Sequence, residues 1–398
     1  MNTNISKLYK ISRKQTRTIV GLMSGTSLDG LDIALCSVSG SGHNTKVALR
    51  KFTTVPYDDE IRRKILRVFA KPTIEFKLLS ELNAWLAVRH ATMIKGALRR
   101  WKIKPQSVDL IASHGQTVFH APKAVTSGVS VNSTLQIGDG DHIAVATGII
   151  TLSDFRQKHI AAGGEGAPLA VYGDYLLFSK KNEDRVMLNI GGIGNFTFLP
   201  GSLKADKVFV TDTGPGNTML DQAIRKLVPG KSFDKDSEIG LSGTINHPLL
   251  SALKDNDFFK LPFPKTTGPE QFNLEYLQKA QEHSGTTSLV VPDLIATLTR
   301  FSAETIAEAI ARASGRKKKQ HVFLSGGGAH NPLMVRSIKE LLPGSTFATT
   351  ADLGIDGDAK EAVLFAILAN EALAGGKTSF GSRHKVPSVS MGKVSFPK

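Results

Sequence analysis

Residues 18–38 read Thr18-Ile19-Val20-Gly21-Leu22-Met23-Ser24-Gly25-Thr26-Ser27-Leu28-Asp29-Gly30-Leu31-Asp32-Ile33-Ala34-Leu35-Cys36-Ser37-Val38. An apolar run at 18–22 leads into a small, polar, glycine-bearing turn at 24–30, and a second apolar run at 31–38 returns the chain. That order is the signature of a hairpin. It recurs from Arg185, with an apolar run at 186–190, a turn at Gly191–Asn195 and a return at 196–199. Two such units far apart in the chain point to an internal duplication of the fold, though not of the sequence.

Working outward, the apolar patterning predicts further strands at 47–54, 110–112, 148–153 and 322–324. Helices are expected at 58–70, 75–101, 293–313 and 360–373. In the third of these, Leu294, Ile295, Leu298, Phe301, Ile306 and Ile310 form one apolar stripe, and Pro292-Asp293 starts it. No low-complexity linker divides the halves. The expectation is an α/β chain whose domains follow one another directly.

The size agrees, because 398 residues and 42.8 kDa exceed one ordinary core and suit two. With 41% apolar and 21% charged residues, wholesale disorder is excluded. No apolar run approaches the roughly 18 residues of a bilayer span. A lone cysteine, Cys36, rules out an intrachain disulfide and thiolate zinc sites, and favours a reducing, cytoplasmic setting. The net charge of +15 is concentrated: residues 1–17, 377–398 and 316–319 hold fourteen of the fifteen charges. Solvated basic tails are therefore expected rather than a nucleic-acid surface. Residues 1–17 lack the apolar segment of a secretory signal. Their composition weakly suits an organellar transit peptide, but a flexible bacterial extension is the preferred reading, whose removal should leave catalysis unchanged.

Four segments concentrate glycine with Asp, Asn, Ser or Thr: Gly25–Gly30, Asn189–Asn195, Asp212–Asn217 and Ser325–Asn331. Glycine lets backbone N–H groups approach an anion, hydroxyls donate to phosphate oxygens, and Asp29 is able to hold magnesium. One such turn is usually only a turn; four at strand ends point to phosphate binding. Neither GxxxxGK[ST] nor a GxGxxG opening a helix occurs, which excludes the P-loop and Rossmann modes.

The segment Gly21–Asp32 resembles the opening motif of the anhydro-N-acetylmuramic acid kinases. Ser113-His114-Gly115-Gln116-Thr117 is similar to a second family segment, and Asp154-Phe155-Arg156 with Ala162–Leu169 to a third. Asn189–Asn195, Asp212–Asn217, Phe233–Asp236 with Pro264–Gly268, and Gly326–Asn331 continue the match over about residues 18–398. Glu165 stands where many relatives carry glutamine. The resemblance implies two ribonuclease-H-like α/β domains of the actin-like ATPase type around an ATP-binding cleft that closes on its ligands. The expected division is a leader at 1–17, a first domain at 18–160 plus 386–398, and a second at 161–385.

The resemblance also implies a reaction. ATP and water convert 1,6-anhydro-N-acetylmuramic acid into N-acetylmuramic acid 6-phosphate during cell-wall recycling. Because O6 is tied to C1, water must attack C1 as O6 takes the γ-phosphoryl group, which calls for a carboxylate base. Asp212, at a predicted strand end before Gly214-Pro215-Gly216, is the candidate; the bland alternative is a turn or helix cap. The resemblance places ATP and its phosphates at Gly25, Thr26, Ser27, Leu28, Asp29, Gly30, Leu31, Asp32, Gly191, Gly192, Asn195, Gly326, Gly327, Gly328 and Asn331. It places the sugar at His114, Asp154, Arg156, Gly214 and Asn217, and Mg2+ at Asp29 and Glu361. Each has its ordinary reading: an Asx turn for Asp29, a first-turn helix acid for Glu361, a structural Asp–Arg pair for Asp154 and Arg156, a buried histidine for His114. The expected partners are the sugar and ATP, without nucleic acid or membrane, and with a homodimer as the assembly left open. The rival readings are a kinase for another anhydrosugar such as levoglucosan, and an actin-like or chaperone-like ATPase. The second has no room for a peptide-binding domain and leaves Asp212 without a task.

Overall fold

The computed structural model describes residues 2–121, 131–315, 319–355, 357–375 and 386–398. The chain divides into two compact units, residues 1–177 with 354–398, and residues 178–353. Its strands are β1 Thr16–Ser24, β2 Gly30–Ser39, β3 Lys46–Pro56, β4 Leu110–Ala121, β5 Ser133–Ile137, β6 Thr151–Ser153, β7 Arg185–Ile190, β8 Ile193–Leu199, β9 Phe209–Pro215, β10 His321–Ser325, β11 Thr346–Thr349 and β12 Lys393–Ser395.

In the first unit the sheet order is β12-β6-β4-β1-β2-β3, with β5 paired to β4. The strands β1, β2 and β3 form an antiparallel meander, and β4 and β6 join parallel beyond β1. In the second unit the order is β11-β10-β7-β8-β9. Here β7, β8 and β9 make the meander, and β10 and β11 join parallel beyond β7. Both units share one ribonuclease-H-like topology, a three-stranded meander extended by two parallel strands. The two hairpins visible in the sequence are the first two strands of each copy, so the expected duplication is present.

The first sheet is buried because helices cover it. Phe76–Arg100 supplies Leu82, Leu86, Ile94 and Leu98 to its core. Helix Lys360–Ala374 is buried at nine consecutive positions, Ala362 to Asn370, as befits an element enclosed on all sides. It lies against β1 so closely that a Cβ at Gly21 would collide with the Ala362 carbonyl oxygen. Helix Ala170–Phe178 packs there too, with Gly173 against Leu364. These contacts place helices Ala170–Phe178 and Lys360–Ala374 with the first unit, where the sequence reading assigns 161–385 to the second. In the second unit the expected stripe of helix Val291–Ser314 is buried from Leu294 to Ile310, and the helix packs against β8 and β9. No helix among the described residues is long and apolar enough to cross a membrane.

The flexible leader is a correction. Residues Thr3–Ser12 form a helix capped by the Asn2 side chain, which accepts from the Asn4 N–H at 2.9 Å. Ile11 is buried, and Arg17, 3% exposed, donates to the Ile11 carbonyl at 3.0 Å and to Asn370 Oδ1 at 3.0 Å. Lys14 pairs with Asp109 at 2.6 Å. At the other end, β12 extends the sheet and Met391 is buried, so the end of the chain is not a solvated tail either. The remaining basic positions at 316–318 and 376–385 lie outside the described residues. A cation whose donors all serve buried acceptors cannot be removed freely. Arg17→Met should therefore lower stability by roughly 2–3 kcal/mol, read by denaturant unfolding. A variant as stable as the parent would mean that the helix is not docked.

Candidate active site

Between β1 and β2, Thr26, Ser27 and Asp29 stand exposed while Leu28 turns inward at φ 59°. The turn is held from below. Gln116, fully buried, donates to the Gly25 carbonyl at 3.1 Å and accepts from Ser24 Oγ. The Ser24 hydroxyl lies 2.7 Å from that of Tyr57, which lies 2.7 Å from His90 Nε2. Arg62 donates to the Leu28 carbonyl at 3.2 Å, and the Tyr57 N–H to that of Asp29 at 3.0 Å. The second sequence segment thus braces the first. Leu28 and Leu31 belong to the core, and Leu31 sits in the ladder opposite Val55, so neither side chain faces a ligand. Asp32 lies on β2, accepts from Thr54 Oγ1 at 2.6 Å, and has its carboxyl pushed up by burial, with Asp358 and Asp29 adding to the effect.

Three predicted residues of the first unit meet. Arg156 donates through Nε to His114 Nε2 at 2.9 Å and through Nη1 to the Gly166 carbonyl at 2.7 Å. Burial first, and then Arg156, pull the His114 pKa down to about 3, so its imidazole is neutral, with Nε2 as acceptor. Its Nδ1 is buried without a partner among the described residues. Burial lowers the Arg156 pKa, and Glu361 opposes this. Glu361, at the first turn of helix Lys360–Ala374, is held above the usual carboxylate range by its surroundings, against the pull of Arg156 and Lys360. Asp154 stands apart. It adopts a left-handed backbone at φ 57° and pairs with Lys393, so the alternative reading of a structural Asp154–Arg156 pair does not hold.

In the second unit Asp212 sits on β9 opposite Asn195. Its backbone N–H donates to the Lys265 carbonyl at 2.9 Å, and its Oδ2 accepts from the Thr267 N–H at 2.8 Å. Burial pushes its pKa up to about 6, while that N–H and the Lys265 charge restrain the rise. It does not cap the helix that follows: helix Thr218–Leu227 begins at Asn217, without a side-chain cap. The end of β9 is tied to the neighbouring hairpin, because Gly216 and Thr218 donate to the Gly192 carbonyl at 2.8 and 3.0 Å and Asn217 to that of Gly191 at 2.9 Å. Asn217 also donates to the Ile190 carbonyl at 3.4 Å and lies beside Gly327 and Gly328. Asn331 is a helix cap, accepting from the Met334 N–H at 2.8 Å and from Ser237 Oγ at 2.7 Å.

The glycines sort into two kinds. Gly30, Gly214, Gly326 and Gly328 are demanded by the fold; at Gly214, for example, φ is 135° and a Cβ would press on Phe259. Gly25, Gly191, Gly192 and Gly327 have negative or ordinary φ, and a Cβ there would meet nothing nearer than 3.5 Å. The fold does not require those four. At these four positions no side chain stands between the backbone and its surroundings. Among the described residues no group of three or more His, Cys, Asp or Glu side chains is placed to hold a metal. Sequence reasoning gave no role to Gln116, Tyr57, His90 or Lys265; for Gln116 and Lys265 the signal was their place inside motifs.

Two ribonuclease-H-like units, each opening on a hairpin with a glycine turn, define the actin-like ATPase class. The family model for anhydro-N-acetylmuramic acid kinase matches residues 17–384, and the chain belongs to that family. Proteins of that name from Pseudoalteromonas atlantica and Pseudoalteromonas translucida are 52% and 50% identical to it, each over 100% of both chains. One from Caldanaerobacter subterraneus is 39% identical over 98% of this chain and 100% of its own. Likeness to solved structures is weaker and adds nothing to the strand order. An example is (R)-2-hydroxyglutaryl-CoA dehydratase component A from Acidaminococcus fermentans, with TM-score 0.41, 13% identity, 90% of this chain and 99% of that one.

Asp212 carries a stability consequence. An unfolded aspartate titrates near 3.8 and this one near 6, so folding takes up a proton between those values and stability falls as pH rises through them. Asp212→Asn, which keeps an acceptor for Thr267, should be more stable than the parent by about 1–3 kcal/mol at pH 7–8, with the gain gone below pH 4. Paired unfolding curves at the two pH values test this, and an Asn variant less stable at pH 8 would refute it.

Proposed function

We propose that the chain performs the reaction for which its family is named, the ATP-dependent opening and phosphorylation of 1,6-anhydro-N-acetylmuramic acid. The observation that carries the reading is Asp212: a carboxylate raised toward neutrality and gripped by one backbone N–H, on the strand tied to the open glycine turn at Gly191-Gly192. A base poised near the working pH is what activation of water requires.

In the proposed step, Asp212 accepts a proton from the attacking water. The water oxygen bonds to C1 as the C1–O6 bond breaks, and O6 bonds to the γ-phosphorus as the bridge to ADP breaks. The products are N-acetylmuramic acid 6-phosphate and ADP. The open N–H groups around Gly25, Gly191, Gly192 and Gly327 would bind the phosphates, together with the Thr26 and Ser27 hydroxyls. Arg156 suits the lactyl carboxylate, since only part of its donor fork is used by His114 and Gly166. Neutral His114 orients it. Magnesium held by ATP phosphates needs only one or two protein carboxylates, and the exposed Asp29 and the first-turn Glu361 fit that modest demand. When bound, the ion would offset phosphate charge. The use of ATP and a lone buried thiol favour the cytoplasm as the place of action.

A coupled ADP-release assay over a panel of anhydrosugars tests the substrate. Turnover should be greatest with 1,6-anhydro-N-acetylmuramic acid; an equal rate with levoglucosan would transfer the reading to another sugar kinase, and steady turnover without sugar would sink it. Asp212→Asn should lose about 3–6 kcal/mol of transition-state stabilisation with nucleotide binding intact. The parent rate should fall as pH drops through about 6, where Asp212 takes up its proton. Retention of more than about a tenth of the activity in the Asn variant would remove Asp212 from the mechanism.

A further inference from the structure

Within the second unit a cavity of about 600 Å3 opens beside β9, large enough for a small metabolite. Thr213, the residue after Asp212, lines it together with Lys265, Thr305, Arg312, Gln320 and Ser345, while Phe259, Leu341 and Leu342 give it an apolar side. Neither the phosphate turns nor the proposed sugar residues take part in it.

The charges around it are out of balance. Lys265 is 7% exposed, and its ammonium donates to the Phe258 and Phe259 carbonyls at 2.8 and 3.3 Å and lies 4.1 Å from the Phe258 ring centre. Arg312 donates to the Phe259 and Leu261 carbonyls at 3.0 and 2.6 Å and stacks on Phe263 at 4.0 Å. Neither cation has a carboxylate at ion-pair distance among the described residues. The other charged groups facing the cavity are already engaged: Lys260 with Asp257 at 3.0 Å, and Glu308 with Lys254 at 2.5 Å. A buried cation normally keeps an opposite charge, because carbonyl dipoles and ring faces replace only part of its hydration. Lys265 is such a cation; the exposed Arg312 donates to the same short stretch of chain, and burial and Arg312 together bring the Lys265 pKa down to about 8. Each retains unused N–H donors, which is the arrangement that recognises a phosphate or carboxylate.

We infer that this cavity binds a small anion, a phosphate monoester or carboxylate with a compact, partly apolar body, and that its occupant reports to Asp212 through Lys265. The link is covalent and short. Lys265 and Thr267 supply the carbonyl and the N–H that hold Asp212, and the Lys265 charge is the one that favours ionised Asp212. An anion on Lys265 cancels that charge, raises the affinity of Asp212 for its proton and slows turnover at neutral pH. The regulatory half rests on Asp212 being the base; the binding half does not.

The test is calorimetric titration of the intact protein with three probes: inorganic phosphate, N-acetylmuramic acid 6-phosphate and butyrate. At least one should bind, and the pattern among them separates a phosphate from a carboxylate preference. Arg312→Ala should weaken that binding at least tenfold, and Arg312→Lys by less than threefold. Anions held at the phosphate turns would be indifferent to position 312. In steady state the same anion should lower the parent rate at least twofold at saturating ATP and sugar, while Arg312→Ala keeps the basal rate and resists the anion. Absence of binding by all three probes, or equal binding to Arg312→Ala, overturns the site. Binding that depends on Arg312 but leaves the rate unchanged overturns the link to Asp212, while an active Asp212→Asn variant would remove the base reading and leave the site standing.

Discussion

A helix can lay its backbone against a strand only where the strand carries no side chain, and Gly21 is that place on β1. The Ala362 carbonyl fills the space a Cβ would need. From this one approach much of the first unit follows. The helix is fixed in height and rotation, so its first turn presents Glu361 near Arg156 and its last turns present Asn370 to Arg17 and Glu371 to the Gly42 N–H at 3.1 Å. The strand is fixed as well, and it delivers Ser24 to Gln116 at the foot of the candidate phosphate turn. A segment more than three hundred residues away in sequence thus becomes part of the platform on which that turn stands.

The candidate base shows the opposite economy. Nothing around Asp212 maximises stability: a carboxylate placed mostly out of water and given one backbone N–H destabilises the fold at neutral pH. More donors would have kept its pKa low and made it a poor base. The single N–H and a cation held beneath the same strand leave it near 6, where it is ionised at neutral pH and still able to accept a proton. Local strain of this sort survives because the surrounding helices Val291–Ser314 and Thr218–Leu227 contribute a large apolar core.

What the sequence reveals and conceals follows from the range of the forces involved. The two hairpins and the buried stripe of Val291–Ser314 depend on neighbours in the chain, and they lie where the periodicity puts them, while the helix expected at 58–70 stops at Leu66. Strand β4 extends to Ala121, well past the apolar run at 110–112, because its later residues pair with β5, a partner that periodicity does not announce. The division between units was missed because helix Lys360–Ala374 owes its place to Gly21 rather than to its sequence neighbours. The leader was missed for the same reason, since a basic, acid-free segment looks solvated until Asn370 and Asp109 are brought to Arg17 and Lys14. Among the candidate site residues, the glycine-rich segments stood out by composition, and the family resemblance singled out Asp212. Asn331 looked identical to them in sequence, and only its bonds to Met334 and Ser237 reveal a cap.

The same reasoning explains why net charge was a poor guide. Of the basic residues in the opening segment, Arg17 and Lys14 are consumed by the fold, so the surplus that counts is not where the sequence is most basic. It lies at single positions such as Lys265, where burial magnifies one uncompensated charge far beyond its share of the total. A solvated lysine at the surface is screened within a Debye length of about 10 Å and influences little. Lys265, beneath Phe258 and one hydrogen-bonded segment away from Asp212, acts over a short path of low polarisability. One charge of that kind therefore counts directly in the acidity of the candidate base.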